Sequence, residues 1–226
     1  MSRWNVTGLP AAVLFDLDGT LLDTAPDMID ALHVICAEEG LAPVPYARAR
    51  GFVSNGAVGL LRLAFPAFDP QRDTALHQRF LERYAARLAV GTRLFPHLDT
   101  LLDDLDRAAV PWGIVTNKPQ HLTEPLLAAL GLNLRAACTV SGDTLTERKP
   151  HPRPILFALE QLAIDPAKSV YVGDARRDIE SGRAAGTITV AVRYGYVEPG
   201  QDPWSWGADH VVDTPLDLIA LLNGDR

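Results

Sequence analysis

Residues 12–20 read Ala12-Val13-Leu14-Phe15-Asp16-Leu17-Asp18-Gly19-Thr20. An apolar run ends abruptly in two carboxylates one residue apart and then a glycine, the pattern of a buried strand delivering acidic groups to a loop at its carboxyl end. Open α/β sheets put their chemistry at that edge. Side chains alternate along a strand, so Asp16 and Asp18 share a direction if the extended geometry persists, while Leu17 turns into the protein. Two adjacent carboxylates repel, and one of them in isolation tends to keep its proton. A divalent cation removes the conflict, because Mg²⁺ takes one or two carboxylates together with phosphate oxygens. Gly19 permits a sharp turn and Thr20 adds a hydroxyl. A calcium loop also opens Asp-x-Asp, but here its sixth position is Leu21 where glycine is needed, and its twelfth is Asp27 where a bidentate glutamate is expected.

Downstream, Thr24 followed by Pro26 reads as a helix start, and Met28, Ile29, Leu32, Ile35 and Cys36 recur at helical spacing up to Gly40. Pro43 and Pro45 mark a loop. From Tyr46 to Val90 the pattern stays helical, with Leu76, Phe80, Tyr84 and Leu88 in one stripe and Leu81 beside it. A simple βαβ crossover uses one helix, so several in succession predict an inserted helical domain over residues 21–91, seated above the carboxyl end of the first strand.

The chain then alternates. Leu98, Leu101, Leu102 and Leu105 face one way on a helix opened by Pro96. Strands are expected at 111–115, 136–140, 169–172, 187–192 and 209–212, with helices at 120–130, 153–163 and from the Gly173-Asp174 turn to Gly186. Strands alternating with helices predict an α/β fold, a Rossmann-like parallel-sheet core built from residues 1–20 and 92–226 and carrying the small α-helical cap.

Composition is consistent with this. The 226 residues are 47% hydrophobic and 22% charged, which suits one soluble domain with an insertion. A net charge of −7 argues against nucleic acid or an acidic membrane surface as partner, and an anionic substrate then needs local positive charge or a metal. Cys36 and Cys138 stand alone in apolar surroundings, so neither a disulfide framework nor a zinc cluster is expected, and a cytoplasmic location follows. The first ten residues lack a signal-peptide core and no run reaches membrane-spanning length. Asn5-Val6-Thr7 matches a glycosylation sequon that carries no meaning without secretion. A monomer or homodimer is expected.

Four strand ends carry polar groups together: Asp16 with Asp18, Thr116 with Asn117, the segment reaching Lys149, and Asp174 with Asp178. Taken singly, Thr116-Asn117 reads as a helix cap, Lys149 as a surface lysine and Asp178 as a favourable charge at a helix amino terminus. Converging on one edge of a parallel sheet, they make a site. Lys118 competes with Lys149; directly following Thr116-Asn117, it is read as a substrate-side helper. The six histidines show no metal spacing.

These segments resemble the four ordered motifs of the haloacid dehalogenase superfamily in its phosphatase form, and the match spans the chain from the first strand to the last ones. The resemblance implies that Asp16 is a nucleophile forming an aspartyl phosphate and that Asp18 is the general acid and base. It implies that Thr116 and Asn117 bind the phosphoryl group and that Lys149 neutralises charge between nucleophile and phosphate. It further implies Mg²⁺ on the Asp16 carboxylate, the Asp18 main-chain carbonyl and Asp174, with Asp178 in or near the ligand set. The second acid, Asp18, argues for phosphoryl transfer over dehalogenation. A sugar phosphomutase shares all four motifs. A phosphorylation-receiver module fits less well, since no large helical insert is expected after its first strand.

The insertion resembles the helical cap of the phosphoglycolate phosphatase type. Its Gly51-Phe52-Val53-Ser54-Asn55-Gly56 loop is expected to face the site, with Ser54, Asn55 and also Arg193 touching the organic part of a small phosphorylated metabolite. Trp112 to Pro119, Arg177 to Arg183, Ala191 to Tyr196 and Trp206 to Asp209, together with Arg93-Leu94-Phe95, are similar to the N-acetylmuramic acid 6-phosphate phosphatases of bacterial cell-wall recycling. That branch is closely related to the phosphoglycolate phosphatases. Two departures stand out: His97 where many relatives have glycine after the proline, and Ala175 where many have a hydroxyl.

Overall fold

The structure, a computed structural model, describes residues 9–224; the Asn5 sequon lies outside them. The first strand, β1 (Ala12–Phe15), is followed by the two-residue β2 (Leu22–Asp23) and then by α1 (Ala25–Glu38), α2 (Tyr46–Arg50), a short 3₁₀ turn (Val53–Asn55), α3 (Gly56–Ala64) and α4 (Thr74–Ala85). The chain returns through β3 (Arg93–Leu94), α5 (Leu98–Arg107), β4 (Trp112–Val115), α6 (Gln120–Ala129), β5 (Cys138–Val140) and α7 (Arg153–Leu162). It closes with β6 (Ser169–Gly173), α8 (Arg176–Ala185), β7 (Ile188–Val192), β8 (His210–Val212) and α9 (Pro215–Asn223).

Six of these strands form one parallel sheet in the order β5-β4-β1-β6-β7-β8. Its strands are apolar on both faces because both faces are covered. Val13 and Phe15 of β1 join the core made with α1, α5, α6 and α9, whereas Ala12 and Leu14 join a second core against α7. After β5 the chain crosses back to lay β6 on the other side of β1, so the order of strands reverses at β1. That reversal opens the crevice beyond the carboxyl ends of β1, β4 and β6.

Two features at the edge of the helical segment escape the sequence. β2 and β3 pair antiparallel, Leu22 opposite Leu94 and Asp23 opposite Arg93, so the way into the helices and the way out are tied together. Between them, Asp27 on α1 accepts hydrogen bonds from the backbone N–H groups of Gly91 and Thr92 and from the Thr92 hydroxyl, fastening α1 to the returning chain. A ribbon of two residues per strand has no readable alternation, which is why the periodicity does not reveal it.

Candidate active site

β1 ends at Phe15, and the next residues place two acids in one cavity of about 410 Å³. Each acid meets its own lysine. Lys149 Nζ lies 2.8 Å from Asp16 Oδ1, and Lys118 Nζ lies 2.9 Å from Asp18 Oδ1. The repulsion expected between neighbouring carboxylates is thus offset by two buried ammonium groups, one per acid.

Lys149 is held from every side. Its Nζ also lies 2.7 Å from Asp178 Oδ1 and donates to the Tyr171 hydroxyl at 2.8 Å, which in turn donates to the Val115 carbonyl. Its backbone is gripped by Asn117, whose amide donates to the Lys149 carbonyl while its oxygen accepts from the Lys149 N–H. A lysine loses rotamer freedom expensively, so this many partners are what keep one ammonium in one place.

Asp16, Asp174 and Asp178 offer carboxylate oxygens that all lie within 4.8 Å of one another, and all three residues are buried. Asp174 Oδ2 accepts from the Ser54 hydroxyl at 2.7 Å and from the Tyr196 N–H at 2.8 Å, but its Oδ1 is buried without a partner. Burial, then the charges of Asp16 and Asp178, pushes the Asp174 carboxyl up to about 7. Burial also raises Asp16, against the pull of Lys149. A partnerless carboxylate oxygen among crowded like charges is the situation a hard divalent cation relieves, and an all-oxygen donor set suits such an ion. Gly19 makes the packing possible: its φ is +89°, and a Cβ there would stand 2.1 Å from Asp174 Oδ2.

Asp178 combines the readings open for it. Its Oδ2 caps the Ala175 N–H at the start of α8, while Oδ1 faces Lys149. Because residue 175 is alanine, the reciprocal half of that cap, a side-chain acceptor for the Asp178 N–H, is absent. Thr116 and Asn117 are not helix caps, since α6 begins at Gln120 behind Pro119. The Thr116 hydroxyl oxygen accepts from the Lys118 N–H and borders the cavity, leaving its proton to donate.

Four expectations need correction. Asn117 borders the cavity, yet its carboxamide is committed at both ends to Lys149 rather than reserved for a phosphoryl group. Ser54 reaches the site, but its hydroxyl goes to the Asp174 carboxylate instead of to substrate. Asn55 lies at the rim with its amide turned outward to Glu198. Arg193 does not enter: beyond β7, two strands from β1, its exposed guanidinium pairs with Asp213 at the end of β8.

The sequence also missed contributors. Tyr84 on α4 accepts a 2.7 Å hydrogen bond from Lys118 Nζ, so the helical stripe read as core also carries a polar contact into the site. Arg177 Nη2 donates to the Ser54 carbonyl at 2.7 Å and borders the cavity, as does Arg148. Tyr171 was legible in principle, because a tyrosine inside a central strand must find a partner for its hydroxyl.

Residues 13–192 match the family model described as haloacid dehalogenase-like hydrolase. The chain belongs to this family. An N-acetylmuramic acid 6-phosphate phosphatase from Pseudomonas putida is 49% identical over 214 residues, which cover 94% of this chain and 96% of the relative. A phosphoglycolate phosphatase from Xanthomonas campestris is 45% identical over 209 residues, covering 92% and 95%. Among solved structures, a predicted phosphoglycolate phosphatase from Haemophilus somnus superimposes with a TM-score of 0.84 at 24% identity, covering 96% of this chain and 99% of that one, which speaks to the fold. No helix among the described residues is long and apolar enough to cross a membrane. In this haloacid dehalogenase-like hydrolase, the acid pair and Lys118 border one cavity that residues of the helical segment, among them Val53, Phe80 and Tyr84, also line, and Lys149 reaches Asp16 from the buried side.

Proposed function

We propose that this hydrolase is a Mg²⁺-dependent phosphatase that cleaves N-acetylmuramic acid 6-phosphate through an aspartyl phosphate on Asp16, in the cytoplasm, as part of cell-wall recycling. Residues 21–91 act as a cap over the site, turning on the β2/β3 ribbon. The observation that carries the chemistry is that Asp16 and Asp18 border one cavity yet pair separately, Asp16 with Lys149 and Asp18 with Lys118, which divides two neighbouring acids between two roles.

Asp16 attacks phosphorus in line with the leaving oxygen, so an Asp16 O–P bond forms as the ester P–O bond breaks. Asp18 gives its proton to that departing oxygen. Water then attacks the phosphorus of the aspartyl phosphate, Asp18 takes a proton from it, and inorganic phosphate leaves with Asp16 regenerated. Lys149 keeps one Asp16 oxygen fixed and balances the phosphoryl charge, and the Thr116 hydroxyl donates to a phosphoryl oxygen. Asp16, Asp174, the Asp18 carbonyl and nearby Asp178 would hold Mg²⁺, which supplies charge neutralisation between carboxylate and phosphate.

The cavity favours the amino-sugar phosphate over 2-phosphoglycolate. Above the acids it is walled by Val53, Val58, Phe80, Leu81 and Leu122, an apolar surface suited to a sugar ring and its acetyl group, and about 410 Å³ far exceeds a two-carbon acid phosphate. Phosphate release with Mg²⁺ from both compounds in parallel tests this. A kcat/KM more than about tenfold higher for N-acetylmuramic acid 6-phosphate, or ~1.4 kcal/mol in transition-state binding, supports the reading. The reverse preference makes it a phosphoglycolate phosphatase, and turnover of neither favours a phosphomutase.

A further inference from the structure

Two cationic side chains at the cavity stand outside the pairings of Asp16 and Asp18. Lys149 and Lys118 are occupied by Asp16 and Asp18. Two further cationic side chains, Arg148 and Arg177, border the same cavity in a protein whose net charge is −7. Among the described residues neither has a carboxylate within ion-pairing distance, although most other arginines of the chain do.

The two differ in what they are free to do. Arg177 is half-buried, sits in the field of Asp178, Asp16 and Asp174, and spends a hydrogen bond on the Ser54 carbonyl, so it belongs to the acidic end and to the turn above it. Arg148 is exposed at the cavity wall, and its guanidinium has no hydrogen-bond partner among the described residues. Its backbone, by contrast, is fixed. The Arg148 carbonyl accepts from the His151 N–H at 2.8 Å, and the adjoining Lys149 is clamped by Asn117. Lys149 reaches inward to Asp16 and Arg148 borders the cavity from the next residue. Their Cα atoms are ~3.8 Å apart, so a ligand whose phosphoryl group lies at Asp16 comes within reach of the long Arg148 side chain at the cavity wall.

We infer that Arg148 forms a subsite for a second anionic group of the substrate, a carboxylate carried on the organic part away from the phosphoryl group. A guanidinium presents a planar fork that matches a carboxylate bidentately, and a preformed, unpaired one at a pocket wall is suited to selecting by that group. This rests on the amino-sugar reading above, because N-acetylmuramic acid 6-phosphate carries a lactyl carboxylate across the ring from its phosphate. N-acetylglucosamine 6-phosphate is the same ring without the lactyl group and serves as the matched probe.

The experiment measures kcat/KM for both amino-sugar phosphates in the wild type, Arg148→Met and Arg148→Lys. The wild type is expected to prefer the lactyl compound by more than about tenfold, with the ratio falling toward unity in Arg148→Met through KM, and recovering in part in Arg148→Lys. Equal turnover of the two compounds by the wild type, or an unchanged ratio in Arg148→Met, overturns the subsite while leaving the phosphatase reading intact. Turnover of 2-phosphoglycolate with neither amino-sugar phosphate accepted overturns the subsite together with the amino-sugar reading on which it rests.

Discussion

The Ser54 hydroxyl, on the turn between α2 and α3, donates to Asp174 Oδ2 at the end of β6 across 2.7 Å. A residue of the helical segment thereby orients a carboxylate of the acidic cluster, and Arg177 grips the same turn through the Ser54 carbonyl. Partners of this kind behind metal ligands typically contribute ~10–100-fold in metal affinity. Ser54→Ala is therefore expected to raise the Mg²⁺ concentration for half-maximal activity about tenfold and to weaken Mg²⁺ binding in calorimetry by a similar factor. An unchanged binding isotherm would show that the hydroxyl does not orient Asp174 for the ion.

The acidic cluster also sets a pH dependence. The Asp174 carboxyl stands at about 7 in the folded protein against an ordinary value of 3.8. The folded state thus binds this proton more tightly than the unfolded chain, so the contribution to stability is full below about pH 4 and is lost as pH rises through about 7. On the proposed reading Mg²⁺ takes the ionised form of this cluster, so its stabilising effect should grow over the same interval. Thermal unfolding of chelator-treated protein with and without Mg²⁺ is expected to show a larger Tm increase near about pH 8 than near about pH 5.5. An equal or larger increase at the acidic pH would contradict the assignment.

His97 precedes α5 with φ of +68°, in the left-handed region that disfavours a side chain with a Cβ, and its imidazole is exposed. Replacing it with glycine removes that strain at the cost of a more flexible unfolded chain. His97→Gly is expected to stabilise by up to ~1 kcal/mol, or roughly 2–4 °C in Tm for a protein of this size. A lower Tm would mean that the histidine makes contacts worth more than its backbone strain.

Much of the sheet and of the catalytic edge is written locally. Asp16 and Asp18 end an apolar run, Asp174 follows another, and β1, β4, β6 and β7 fall where the apolar segments predict them. Asp174 and Asp178 are also spaced so that one leaves the strand and the other caps the helix after it. What depends on strand order is not local. Arg193 leaves a strand end just as Asp174 does, but β7 is separated from β1 by β6, and the neighbour it meets is Asp213. Tyr84 shares its helical spacing with Phe80, so periodicity assigns both to the core, and only the packing of α4 over β4's loop reveals the hydroxyl on Lys118. The side chains of Asn117 and Ser54 suit a substrate by type, but they meet protein partners, Lys149 and Asp174, which no spacing rule discloses.

In the proposed mechanism Asp16 carries the phosphoryl group during turnover. Rapid quenching of the enzyme with Mg²⁺ and saturating N-acetylmuramic acid 6-phosphate, followed by borohydride reduction and peptide mass analysis, tests it directly. Conversion of Asp16 alone to homoserine is expected, dependent on substrate and absent in Asp16→Asn. Full turnover with Asp16 unmodified at every quench time, together with residual activity in Asp16→Asn, would mean that water attacks the phosphate directly and that Asp16 is not the nucleophile.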